Sequence, residues 1–245
     1  MSGHSKWATT KRKKAVIDAK RGKAFTKIIK EITIAAREGG GDPNGNPRLR
    51  LAIDNAKAVN MPADNIERAI KKATGELEGV SYVELTYEGY GPAGVAVIVE
   101  VATDNKNRTV AEVRHLFSKN GGSMAEGGAV AWMFDKKGVI TLPKQGKTED
   151  EIMEIILDAG AEDLQSEDEV YIVQTPIESF EAVRKILSEK NLTIENASLQ
   201  WIAKNSIRVS GEDAEKVIKL LESLEDCDDV QNVYSNADID DSSLS

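Results

Sequence analysis

Hydrophobic positions divide the chain into an N-terminal part with helical spacing and a longer part in which helices alternate with strands. From Phe25 onward, apolar residues recur every three or four positions until three consecutive glycines, which predicts a first helix. Asn46 and Pro47 provide an N-cap and a proline at the first position of a second helix, and Pro62 opens a third. Residues 24–75 therefore predict a small helical bundle.

Strands become frequent after residue 79. β-Branched and aromatic residues predict two strands at 82–87 and 95–101, joined by a tight glycine-rich loop. Thr109 and Glu112 have the spacing of a capping box, which predicts that a helix begins there. A further strand is predicted at 129–134.

The rest of the chain predicts two kinds of unit. Residues 138–203 give the order βαββαβ, which is typical of a ferredoxin-like split βαβ unit, and Thr148 and Glu151 form the capping box of its first helix. The tail predicts a strand at 207–210, a helix and a last strand; these have no sheet of their own, so we expect them to join the strands at 82–134. The fold class is α+β: an N-terminal three-helix domain with a basic arm, followed by two ferredoxin-like α/β domains, one inserted into the other. The predicted domains are 1–78 (basic arm and helices), 79–135 plus 204–237 (discontinuous α/β domain) and 136–203 (inserted ferredoxin-like domain).

Charge is distributed unevenly along the chain of 245 residues, whose net charge is −9. Residues 1–72 carry 17 Lys and Arg against 7 Asp and Glu, whereas residues 73–245 carry 15 against 34. A basic segment on an acidic protein favours a polyanionic partner that contacts the N-terminal part alone. The partner expected from these charges is nucleic acid, bound through phosphate contacts.

The candidate binding residues lie in the N-terminal part. Trp7 offers a stacking surface for an unpaired base, although it could equally pack on the first helix. Arg48 and Arg50 fall on the first turn of the second helix, where unpaired N–H groups favour phosphate, and the alternative is a plain interhelical loop. The other candidates are Lys6, Lys11, Arg12, Lys13, Lys14, Lys20, Arg21, Lys23 and Lys27.

Other kinds of chemistry find little support. The motif G-x-G-x-x-G at 89–94 is followed by a strand instead of a helix, so a hairpin loop is favoured over a dinucleotide site. His4 and His115 have no second ligand at metal-binding spacing, and the acidic neighbours of Cys227 make its thiol a poor nucleophile. We therefore expect no enzyme activity, metal or cofactor; an enzyme would need carboxylates between the predicted domains. With no apolar run of about 20 residues, we expect a cytoplasmic protein with no membrane partner.

Five segments occur in order along nearly the whole chain: 2–8 (SGHSKWA), 46–50 (NPRLR), 87–92 (YEGYGP), 103–114 (TDNKNRTVAEVR) and 130–134 (VAWMF). Together they resemble the YebC/PmpR family. Small departures are Ala93, where glycine is expected, and the loop 123–128. The resemblance implies a three-domain, cytoplasmic, DNA-binding transcriptional regulator. It also implies an alternative, a ribosome-binding or rRNA-binding translation factor that activates translation or relieves stalling.

The sequence does not choose between DNA and RNA, because a basic segment neutralises either phosphate backbone. No predicted helix is an evident reader of the major groove. We therefore expect recognition of backbone or shape over base sequence.

Overall fold

The computed structural model describes residues 18–239 of the chain, and their side chains from residue 22 onward. The first three helices are joined by short turns, and Asn46 connects two of them. Its carboxamide oxygen accepts a hydrogen bond from the Leu49 N–H at 3.0 Å, while its NH₂ donates to the Ala35 carbonyl at 2.7 Å. The predicted N-cap is confirmed, and the same side chain fastens the end of the preceding helix. The helices are α1 (Asp18–Gly39), α2 (Pro47–Ala58) and α3 (Ala63–Ala73).

The described residues fall into two compact units. One comprises 18–56, 61–135 and 202–239, and the other comprises 57–60 and 136–201. The three domains and their boundaries, as predicted from the sequence, stay a prediction.

The first unit is built on a four-stranded sheet with the order β3 (Ser123–Ala125), β1 (Val83–Tyr90), β2 (Ala96–Thr103) and β9 (Val230–Ser235), in which all neighbouring strands are antiparallel. The predicted hairpin is present, and Ala93 and Gly94 in its turn have φ of 56° and 75°. The last long strand lies beside β2, as expected for the tail. The elements are β1 (Val83–Tyr90), β2 (Ala96–Thr103), α4 (Lys106–Lys119), β3 (Ser123–Ala125) and, after the second unit, β8 (Ile207–Val209), α7 (Gly211–Asp226), β9 (Val230–Ser235) and β10 (Ala237–Ile239).

The core of this unit lies between the sheet and helices α4 and α7. Val97 and Val99 of β2 pack in one cluster with Phe117 of α4 and Leu220 of α7, and all four side chains are fully buried. Ile98 points to the opposite face of the sheet and is also fully buried. Burial on both faces explains why the first half of β2, residues 96–99, is apolar without polar alternation.

The second unit contains most of a sheet with the order β5-β6-β4-β7, the order of the predicted split βαβ unit. The predicted capping box is confirmed: the Thr148 N–H donates to the Glu151 carboxylate at 2.7 Å, and the Glu151 N–H donates to the Thr148 hydroxyl at 3.3 Å. The elements are β4 (Phe134–Pro143), α5 (Glu149–Leu157), β5 (Asp163–Ser166), β6 (Val170–Thr175), α6 (Phe180–Glu189) and β7 (Asn196–Ala203).

Three predicted elements are wrong in detail. Helix α4 is capped by Asn105, whose side chain accepts a hydrogen bond from the Arg108 N–H, so Thr109 lies inside the helix and forms no capping box. The strand predicted at 129–134 is absent: Ala131–Met133 form a short 3₁₀ turn before β4, because the N–H groups of Val130 and Ala131 bond to a carboxylate instead of a strand. Strand β8 pairs in parallel with β10, which the sequence did not predict, instead of joining the first sheet.

Candidate nucleic-acid interface

The predicted binding residues divide between described and undescribed parts of the chain. Lys20 and Arg21 lie in α1, where the structure describes their backbone but not their side chains. The side chains of Lys23, Lys27, Arg48 and Arg50 lie within the described range. The residues outside the described range are Lys6, Trp7, Lys11, Arg12, Lys13 and Lys14.

Lys23 and Lys27 face the C-terminal end of α7 and the turn that follows it. The Lys23 ammonium donates to the Asp226 carboxylate at 2.9 Å and to the Asp226 carbonyl at 3.2 Å. The Lys27 ammonium donates to the carbonyls of Glu225 and Gln231, both at 3.3 Å. The carbonyls at the end of a helix carry partial negative charge, so both lysines act as caps for α7.

Lys30, one helical turn further along α1, forms the buried end of the same row. Its ammonium donates to the Asp229 carboxylate at 2.9 Å, and the two side chains are 7% and 8% exposed. The other oxygen of Asp229 lies 2.6 Å from the Arg108 guanidinium and 2.7 Å from the Thr109 hydroxyl. The Thr103 hydroxyl is 3.1 Å from the same oxygen. Asp229 thus joins α1, the end of β2 and the start of α4 at one point.

The charge of Asp229 is fixed by these neighbours. Burial alone would raise the pKa of its carboxyl group, but hydrogen bonds from Arg108, Lys30 and Thr109 outweigh burial and hold the pKa well below its usual range. The charge of Arg108 is stabilised by the same contact, because its hydrogen bonds to Asp229 and Asp104 raise the pKa of the guanidinium group. The carboxylate therefore remains ionised at neutral and mildly acidic pH.

Arg48 is surrounded by carboxylates of its own chain. Its guanidinium donates to Glu31 at 2.8 Å, to Glu38 at 2.8 Å and to Glu84 at 2.6 Å. Burial alone would lower its pKa, but hydrogen bonds to Glu84 and Glu31 outweigh burial and raise the pKa. Arg50 donates to a backbone carbonyl of the preceding loop at 3.1 Å. Both arginines have structural partners, and phosphate contact by either one stays a prediction.

A second polar network shapes the loop before β4. The buried Glu88 carboxylate accepts hydrogen bonds from the N–H groups of Gly128, Val130 and Ala131 at 2.6 to 2.8 Å. Burial alone would raise the pKa of Glu88, but these backbone bonds outweigh burial and lower it. The loop holds Trp132, which is 67% exposed and whose indole N–H donates to a carbonyl within the loop at 3.0 Å.

Sequence reasoning missed Asp229 and Glu88 as organising residues. Glu88 and residues 103–108 lie in the segments that carry the family resemblance. The resemblance marks these residues, but it does not show which hydrogen bonds they form. Asp229 stands in the acidic run 225–229, and nothing in the sequence distinguishes it from its neighbours.

Other candidate chemistry is sparse in the described part of the chain. Between residues 18 and 239, no group of three or more His, Cys, Asp or Glu side chains is placed to hold a metal ion. Cys227 is buried, and burial raises the pKa of its thiol. None of the helices in this range has the length and apolar character needed to cross a bilayer.

Comparison with known proteins covers the whole length of the chain. A protein of Chlorobaculum parvum named "probable transcriptional regulatory protein" is 59% identical over 246 residues, which is 100% of this chain and 98% of that protein. A protein of the same description from Desulfatibacillum aliphaticivorans is 58% identical over 244 residues, 100% of this chain and 99% of that one. The crystal structure of a conserved hypothetical protein from Aquifex aeolicus is 48% identical and superposes with a TM-score of 0.86 over 93% of this chain and 94% of that one.

Two family descriptions together account for nearly every residue. Residues 5–76 match the N-terminal domain of TACO1/YebC proteins, and residues 82–237 match the second and third domains. The α+β fold, with helices first and sheets afterwards, agrees with the Aquifex aeolicus structure. The resemblance found in the sequence is confirmed, and the chain belongs to the TACO1/YebC family.

Proposed function

We propose that this protein is a cytoplasmic, non-enzymatic regulator of gene expression that binds nucleic acid through its basic N-terminal part. The observation that carries the proposal is the charge distribution: the first 30 residues hold 10 Lys and Arg against one acidic residue in a protein of net charge −9. The names of the relatives, probable transcriptional regulatory proteins, support the same role. DNA is the ligand that those names favour.

The contacts of the described cations reduce the number of side chains that are the leading candidates for phosphate contact. Lys23, Lys27, Lys30 and Arg48 donate to acceptors of their own chain, which gives each a structural role. The run Lys11–Lys14 then becomes the principal candidate for phosphate contact, because it places four cations side by side in the sequence. Phosphate contacts carry no base information, so the proposal is binding with little sequence preference.

The test is charge reversal of Lys11, Arg12, Lys13 and Lys14 to Glu, with binding measured against salt concentration by fluorescence anisotropy. Each phosphate contact contributes about −0.9 to the slope of log K against log salt on duplex DNA, so the variant should flatten that slope by roughly 3 to 4. Thermal stability should stay nearly unchanged if these cations serve the ligand and not the core.

A matched control distinguishes the loss of specific phosphate contacts from the general effect of a more negative net charge. Four exposed lysines give the same change in charge when reversed to Glu: position 185 on α6, position 190 directly after α6, and positions 216 and 219 on α7. This control should keep most of the salt slope. An unchanged slope in the Lys11–Lys14 variant would contradict the proposal and direct attention to Arg48 and Arg50.

Ribosomal RNA is the alternative ligand, and the same measurement addresses it. Duplex DNA and rRNA fragments are titrated in parallel, and sedimentation of the protein from a lysate is compared before and after a salt wash of the ribosomes. Tighter binding to rRNA together with cosedimentation would make the protein a translation factor. Binding to DNA with no cosedimentation supports transcriptional regulation.

A further inference from the structure

Three lysines of α1 form a row that faces one acidic segment. Lys23, Lys27 and Lys30 are separated by four and three residues, so they lie on one face of the helix. All three donate to the stretch between Glu225 and Gln231, and we call residues 225–229, whose sequence is EDCDD, the acidic segment.

The contacts along this row differ in exposure from one end to the other. At the inner end, Lys30 and Asp229 are 7% and 8% exposed, and such a buried pair is costly to break. At the outer end, Lys23 and Asp226 are 46% and 75% exposed, and exposed ion pairs contribute little to stability. The outer contacts can therefore open while the inner pair stays closed.

A cavity adjoins the outer end of the row. Its volume is about 220 Å³. The Lys23 side chain, which lines this cavity, is 46% exposed. The lining residues are Gly22, Lys23, Thr26, Lys27, Cys227 and Asp228.

We propose that the acidic segment is an intramolecular competitor of nucleic acid, which occupies Lys23 and Lys27 until phosphates replace it. The inference rests on the proposed function and adds a way in which nucleic-acid binding is regulated. A phosphodiester and the Asp226 carboxylate are both anions that accept hydrogen bonds from an ammonium group, so the two exclude each other at Lys23. The protein then binds nucleic acid more weakly than its cations alone would allow, and this favours ligands that present several phosphates at once.

The experiment compares Asp226→Asn with Glu212→Gln. Both substitutions remove one negative charge from an exposed position of α7, and Glu212 pairs only locally with Lys216 at 2.7 Å. Asp226→Asn should not unfold the helix, because a negative charge at a helix C-terminus is unfavourable. The ligand is a fluorescent DNA duplex, titrated at several salt concentrations.

We expect Asp226→Asn to tighten binding about 2- to 5-fold, the range that corresponds to the loss of one exposed ion pair. The salt slope should become steeper by about 0.9, which is one additional phosphate contact. Glu212→Gln should change affinity less than about 1.5-fold. In a Lys23→Ala background, Asp226→Asn should give no gain, because the lysine that it releases is gone.

Each alternative result has a distinct meaning. An equal increase in DNA affinity from Asp226→Asn and from Glu212→Gln would overturn the inference, because the increase would then depend only on the net charge of the protein. A gain that persists in the Lys23→Ala background would overturn it as well. If the wild type binds DNA with a salt slope that depends on Lys11–Lys14 while Asp226→Asn changes nothing, the inference fails and the proposed function stands. If neither the wild type nor Asp226→Asn binds DNA or RNA, both fail.

Discussion

Neutralising Asp229 tests whether one carboxylate holds the helical part against the first sheet. Asp229→Asn keeps the shape of the side chain but leaves Lys30 buried without a counter-charge. Removing one partner of a buried ion pair costs about 3 to 5 kcal/mol. Lys30 retains the carbonyls of Ala102 and Asp228 as acceptors, at 3.0 and 2.9 Å, so we expect a loss near the lower end, about 3 kcal/mol in the free energy of unfolding.

Urea unfolding followed by circular dichroism measures this loss. Asp228→Asn is the matched control, because it removes the same charge from the adjacent, exposed side chain and should cost less than about 0.5 kcal/mol. In a Lys30→Met background the cost of Asp229→Asn should fall markedly, since the buried charge that it strands is absent. A cost below about 1 kcal/mol, or an equal cost in both backgrounds, would refute the reasoning.

The pH dependence of the same comparison has a defined sign. The folded-state pKa of Asp229 is held below its unfolded value of about 3.9, so its contribution is present above that pH and is lost as pH falls through the folded pKa. The stability gap between wild type and Asp229→Asn should stay constant between about pH 5 and 7 and shrink below about pH 4. A gap that narrows near neutral pH would mean that the carboxylate is not ionised as the contacts require.

Four further substitutions are checked by the same urea titration. Glu88→Gln should cost about 2 kcal/mol, because its NH₂ group opposes backbone N–H donors that need an acceptor; a neutral result would mean that the loop does not depend on the carboxylate. Trp132→Ala should cost less than about 1 kcal/mol because the ring is largely exposed, whereas Phe117→Ala should cost about 3 to 5 kcal/mol in the core; similar losses would contradict the burial of one or the other. Gly138→Ala should cost about 1 to 3 kcal/mol, because a Cβ there would overlap the Phe180 ring, and an unchanged midpoint would show that the ring moves aside freely.

Local chemistry made much of the fold predictable. The Asn46 cap and the Thr148 capping box are formed by residues three apart, so the sequence contains both partners of each bond. The start of α4 was misplaced because Thr109 has two possible uses, as a cap or as a partner of Asp229, and Asp229 is 120 residues away. The 3₁₀ turn before β4 was missed for the same reason, since Glu88 accepts its N–H groups from 40 or more residues earlier.

The candidate site was less predictable than the fold because its charges have distant partners. Lys30 and Asp229 are 199 residues apart, and Arg48 and Glu84 are 36 apart. The sequence shows that the N-terminal part is basic and the remainder acidic. Such a pattern can arise from binding of an anionic ligand or from ion pairs within the chain, and the charge count alone does not distinguish the two. In the structure, Lys23, Lys27 and Lys30 donate to acceptors of their own chain.

Spacing offers a criterion that separates the two uses of positive charge. Lysines at 23, 27 and 30 recur with the period of a helix, so all of them can face a single surface of the same protein. The cations at 11, 12, 13 and 14 are consecutive, and consecutive residues in a helix or a strand point in different directions. We expect this run to contact phosphates of the proposed nucleic-acid ligand, whereas the described lysines also have acceptors within the chain. The charge reversal of Lys11–Lys14 and the neutralisation of Asp229 should therefore affect different properties: binding in the first case and stability in the second.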